Sequence, residues 1–151
     1  MSERELQHWF YLLAEDTESA RLHHAARLAE KARQQGDTVG LYCEDDDQAS
    51  ALDDMLWGFR PEAFLPHERL MQSGDQCATG VGIFCHEPNT GDWQTLIVLS
   101  SRLPADSTRF PRLALIASSD PEVLQQAREQ FRQLKQQGVT PRVLDLRSPH
   151  V

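Results

Sequence analysis

Between two short apolar runs, "HWFYLLA" (His8 to Ala14) and "TVGLYC" (Thr38 to Cys43), lies a segment that repeats alanine and leucine at helical spacing. Leu22, Ala25, Ala26, Ala29 and Ala32 fall on one face, Thr17 stands where an N-cap is expected, and Gly36 supplies a stop after Gln35. The flanking runs are short and rich in rings or β-branched residues, so each reads as a buried strand. Strand, capped helix, strand in that order restricts the chain to layered α/β architectures, because the helix has to lie back across the sheet that holds both strands.

The rest of the chain repeats the alternation. The acids after Cys43 open a second helix whose inner face is Leu52, Met55 and Leu56, and the polar stretch from Glu68 to Thr79 reads as a surface loop. "VGIFCHE" (Val81 to Glu87) and "QTLIVLSS" (Gln94 to Ser101) bracket "PNTGDW", whose Asn, Gly and Asp are those of a turn between antiparallel strands. "RLALIAS" (Arg112 to Ser118) is a further strand, Asp120 and Pro121 start a helix that Gly138 ends after Gln137, and "PRVLDL" (Pro141 to Leu146) is an edge strand. The expectation is a single α/β domain over residues 1–151, three-layered, with a mixed, mostly parallel sheet and helices on both faces.

A chain of 151 residues with 40% hydrophobic side chains can bury one core without disulfides or metal. It has no apolar run near the roughly 18 residues that span a bilayer, and no signal arrangement at "MSERELQHWF", so a cytoplasmic protein is expected, with no membrane role. Cys43, Cys77 and Cys85 match neither a disulfide framework nor a zinc knuckle and read as buried or half-buried thiols. Net charge is −8, which argues against sequence-independent binding to phosphate backbones. The charge is uneven: −10 from Met1 to Phe110 and +2 from Pro111 to Val151, so an anionic partner belongs with the last quarter.

Enzymatic motifs are few. Neither a Gly-x-Gly-x-x-Gly turn, a Gly-Lys-Ser/Thr phosphate loop nor a Gly-x-Ser-x-Gly elbow occurs, and Gly80 and Gly82 stand only at the mouth of a strand. Glu44, Asp45, Asp46 and Asp47 could hold magnesium, which makes a metal-dependent phosphotransfer or nuclease enzyme the alternative reading. Carboxylates in a helix's first turn more simply offset its positive end and cap free amides. His23 and His24 diverge on a helix, Cys85 and His86 on a strand, and a zinc site would require Cys43, His67 and Cys77 to converge. No cofactor, metal or catalytic residue is expected.

Two surfaces stand out instead. On the last helix, with Arg128 as zero, Arg132 lies at about +40° and Lys135 at about −20°, while Leu124 and Phe131 fall at about −40° and −60°. Val123, Ala127 and Leu134 continue the stripe inward, and seven residues, Gln130 among them, fill the opposite side. A cationic ridge thus borders an apolar slot, suited to an acidic peptide or its terminal carboxylate. The second surface is "LWGFRPEAFLPHERL", Leu56 to Leu70, where Trp57, Phe59 and Phe64 sit among Pro61 and Pro66. Rings of this size could present on the order of 600 Å², an anchor for another protein if they face water. Pairing of that patch with itself would make a homodimer.

"FYLL" (Phe10 to Leu13), "YCEDDDQASALDDMLW" (Tyr42 to Trp57), "FLPH" (Phe64 to His67) and "AREQF" (Ala127 to Phe131) together resemble the chi subunit family of bacterial DNA polymerase III holoenzyme. The resemblance implies a Rossmann-like fold without a nucleotide phosphate loop, no catalytic activity, and an adaptor between two proteins. One would be the psi subunit of the clamp loader, or a helicase on the same surface, docking on Trp57 and Phe64 with Pro61 and Pro66 nearby. The other would be the acidic C-terminal tail of single-stranded DNA-binding protein, held by Arg128 and Arg132, with DNA touched only indirectly. Some relatives carry a lysine and tyrosines where this chain has Leu124, Phe131 and Leu134, which implies a less charged tail pocket without hydroxyl donors.

Overall fold

The computed structural model describes residues 7–58, 65–72 and 74–147. Along the chain run β1 (Gln7–Leu12), α1 (Glu18–Gln34), β2 (Val39–Tyr42), α2 (Asp46–Gly58), β3 (Glu68–Arg69), β4 (Val81–Phe84), β5 (Thr95–Val98), β6 (Arg112–Ala117), α3 (Pro121–Gln136) and β7 (Arg142–Asp145). The strands form one sheet in the order β3-β4-β2-β5-β6-β1-β7, and every pairing is parallel. This is the Rossmann-like α/β class. No helix among the described residues is long and apolar enough to cross a membrane.

Local chemistry sets the helix ends. Thr17 accepts the Ala20 amide at 3.2 Å and Asp120 the Val123 amide at 3.2 Å, while Gly36 and Gly138 take the left-handed backbone past the last turns of α1 and α3. Alternation along the strands then sends side chains to two cores. On one face Val39, Leu41, Ile83, Ile97 and Ile116 meet the alanine stripe of α1 and Leu52 and Leu56 of α2. On the other, Phe10, Leu12, Leu113 and Leu115 meet Ala127 and Leu134 of α3, with Trp93 and Phe110 added from connecting segments. The strand expected to be buried throughout is so only on the α3 side, because Trp9 and Tyr11 stay half-buried opposite.

Two expectations are corrected. The strands around "PNTGDW" are not an antiparallel hairpin: β4 and β5 flank β2 on opposite sides, both parallel to it. Residues 85–94 therefore cross the sheet, where such crossovers usually take a dozen residues or more and a helix. What allows so thin a crossover is a pair of glycines in register, Gly40 and Gly82. The buried Trp93 indole lies where their side chains would be: a Cβ on Gly40 would sit 2.9 Å from it and one on Gly82 only 2.6 Å away. The second correction is β3, a two-residue strand inside the segment read as a loop. It pairs with β4, and its own Glu68 carboxylate accepts the Thr79 amide at 2.8 Å.

Burial also makes folding sensitive to acid. His8, under α3, offers one ring nitrogen to the Phe110 carbonyl at 3.2 Å and has its other, Nδ1, sealed without a partner, and burial lowers its pKa. His24, against Tyr11, is lowered to about 4 by burial and then by the neighbouring Arg27 and His23. Both are depressed below the ordinary value of 6.5, so the unfolded chain binds more protons. Their contribution is intact above pH 6.5 and is lost as pH falls toward about 4. Urea unfolding at pH 7.5 and pH 5 is expected to show a lower midpoint in acid, with a smaller drop in His24→Phe.

Candidate functional site

In doubly wound sheets ligands bind where neighbouring strands send their connections in opposite directions. Here that point lies between β1, whose helix α1 runs toward β2, and β6, whose helix α3 runs toward β7. Polar side chains tie together the strand ends beside it. Arg21 donates from Nε to the Ile116 carbonyl at 2.8 Å and from Nη2 to that of Leu99 at 3.0 Å, and Gln48 donates to Glu18 at 2.8 Å while accepting the Glu44 amide at 2.7 Å.

Three of the four acids in the run are spent on structure in the same way. Glu44 accepts the Ser101 amide at 2.6 Å, a bond that holds its carboxyl below the usual range. Asp45 caps α2 through the Gln48 amide at 2.9 Å, and Asp46 pairs with Arg69. No group of three or more His, Cys, Asp or Glu side chains converges as metal ligands among the described residues. Cys43 is buried, with its thiol pKa pushed up by burial, and His67 is bonded to Asp53 instead of approaching a cysteine.

On α3 the ridge and slot are brought together as the helical wheel requires. Arg128, Arg132 and Lys135 are exposed, Leu124 and Phe131 half-buried, and Ala127 and Leu134 buried. Phe131 packs against Phe10 with the rings tilted and their centres 5.4 Å apart, which fixes the floor of the slot, and the Lys135 ammonium lies 5.9 Å from the centre of the Phe131 ring. Arg132 pairs with Glu129 one turn back, an exposed i,i+3 contact of at most about 1 kcal/mol that a partner's carboxylate can displace. Arg128 has no ion pair or hydrogen bond among the described residues. Gln130 departs from the expected arrangement: it is buried, and its amide donates to the Ser100 carbonyl at 2.9 Å, tying α3 to the end of β5.

At the end of α2 the Trp57 indole is 57% exposed, so it is not a core residue. It meets the His67 ring edge-on at 4.9 Å. That imidazole is held from both sides, by the Leu65 carbonyl at 2.7 Å and by Asp53 at 2.8 Å, so the indole rests on a fixed support. Pro66 is exposed beside buried Leu65, whereas Phe59, Pro61 and Phe64 lie outside the described residues. Sequence reasoning missed the supports Phe10, Asp53 and His67. Phe10 and His67 stood only inside the runs "FYLL" and "FLPH", and Asp53 stands one helical turn before Trp57.

Residues 6–142 match the family described as DNA polymerase III chi subunit, HolC. Three curated relatives are each named DNA polymerase III subunit chi. That of Pseudomonas aeruginosa is 40% identical over 85% of this chain and 89% of its own. The Haemophilus influenzae protein is 31% identical over 85% and 90%, and that of Escherichia coli 28% identical over the same shares.

Proposed function

Because the chain belongs to the DNA polymerase III chi subunit family, a component of bacterial replication, we propose that it is a non-catalytic adaptor with two separate docking surfaces. The psi subunit of the clamp loader docks around Trp57 and Pro66, with Phe59, Pro61 and Phe64 extending the patch. A helicase would use the same indole. The acidic C-terminal tail of single-stranded DNA-binding protein docks on α3, with Arg128 gripping carboxylate, Arg132 and Lys135 adding charge, and Leu124 and Phe131 taking an apolar side chain. DNA is reached only through that partner, in the cytoplasm.

The observation that carries this reading is Arg128, an exposed cation with no ion-pair partner among the described residues, set beside a half-buried ring in a chain of net charge −8. A guanidinium in that position binds a carboxylate through a charged hydrogen bond worth about 1.5 to 3 kcal/mol. Calorimetric titration with an acidic peptide ending in Asp-Ile-Pro-Phe is expected to give micromolar, salt-sensitive binding, weakened by that amount in Arg128→Ala. Equal affinity in the variant overturns the α3 assignment. Against the metal-enzyme alternative on Glu44 to Asp47 stands the engagement of Glu44, Asp45 and Asp46 by the protein, and no heat is expected on adding magnesium.

A further inference from the structure

One face of the sheet is incompletely covered. Helix α1 packs over β2, β5 and β6 and α2 over β4, which leaves the edge strand β7 without a helix on that side and β1 covered only where Tyr11 meets His24 of α1. Between them and α1 lie two hollows of about 460 and 500 Å³, on either side of the Tyr11–His24 ring contact, which together make a trough. Its floor includes Trp9 and Tyr11 of β1 and Leu144 and Leu146 beside them, all at least partly exposed. Neither the Trp9 indole N–H nor the Tyr11 hydroxyl has a hydrogen-bond partner among the described residues. Such rings are wide apolar surfaces carrying polar handles, as interface aromatics are.

Charge says what the trough takes. Arg27 and Lys31 stand one turn apart on its α1 side, and Arg142 is in register with Trp9 on the other. All three are exposed, and none has an ion-pair partner among the described residues. Glu15, at one end, is the only acid among the described residues that line the hollows. An edge this basic, on a chain of net charge −8, is complementary to acid. Six residues of β1 give a floor of about 20 Å, the length of a helix of about 13 residues, and a helix lying there would run beside α1 at the usual 8 to 10 Å spacing.

We propose that this trough is a third docking surface, which receives an acidic amphipathic helix from a partner protein and so completes the helical layer. It shares no residue with the Trp57 patch or the α3 slot.

A display library of random 16-residue peptides, panned against the intact protein, tests this. The expected enrichment is for peptides with Leu or Phe at i, i+3, i+4 and i+7 and Asp or Glu on the rim of that stripe. Synthetic versions should bind at least tenfold more weakly to Leu144→Asp and to the exposed double variant Arg27→Glu/Lys31→Glu, and equally well to Trp57→Ala and Arg128→Ala. The double variant keeps the result readable if Leu144→Asp does not fold. Enrichment of basic or extended sequences, or binding indifferent to both trough variants, overturns the proposal. So does concentration-dependent dimerisation that the trough variants abolish, since the occupant is then a second copy.

Discussion

Replacing Trp93 by alanine is expected to destabilise the protein by about 3 to 5 kcal/mol in urea unfolding, the range for removing a large buried ring. The indole is 6% exposed and stacks on Phe84 at 5.3 Å, and it fills the hollow that Gly40 and Gly82 leave on neighbouring strands. Nothing else occupies that position, because the connection from β4 to β5 has no helix to lay over the sheet. The complementary change, Gly82→Val, puts a Cβ 2.6 Å from the indole and 2.8 Å from Leu70. It should also destabilise, and combined with Trp93→Ala should cost less than the two changes separately, because the closer of the two clashes disappears with the ring. A loss below about 1 kcal/mol in Trp93→Ala would mean that the crossover does not depend on this packing.

Trp57→Ala should behave in the opposite way. Its ring is exposed and touches His67, so folding stability should change by no more than about 1 kcal/mol. Binding to psi should weaken by about 2 to 4 kcal/mol, the cost of truncating an aromatic hot spot. The support matters as well. His67 is clamped between the Leu65 carbonyl and Asp53, so the indole loses little freedom on docking, and Asp53→Ala should weaken psi binding although Asp53 needs no contact with the partner. Stability lost without binding lost would place Trp57 in the fold and not in an interface.

The elements read best from the sequence are those governed by local chemistry. Thr17 and Gly36 bound α1, Asp120 and Gly138 bound α3, and the 100° wheel placed Arg128, Arg132 and Lys135 outside with Ala127 and Leu134 inside. Strand pairing is not local. The composition of "PNTGDW" suits a tight turn equally well in a hairpin or in a crossover, and the informative residues, Gly40 and Gly82, lie in strands that meet only after folding. Gln130 failed for a related reason. Its wheel position borders the apolar stripe, but its partner is a carbonyl thirty positions earlier. Trp57 was legible as a ring near a helix end, and not as exposed, since the same helix could have turned it inward.

The most direct test of the adaptor reading is whether both surfaces work at once. An acidic peptide ending in Asp-Ile-Pro-Phe is immobilised, the protein is bound to it, and psi is flowed over the layer. The wild type is expected to retain psi, Trp57→Ala to bind peptide without retaining psi, and Arg128→Ala to bind psi in solution while failing to hold it on the surface. Displacement of the peptide by psi, or retention of psi by both variants at the wild-type level, would contradict two independent docking surfaces.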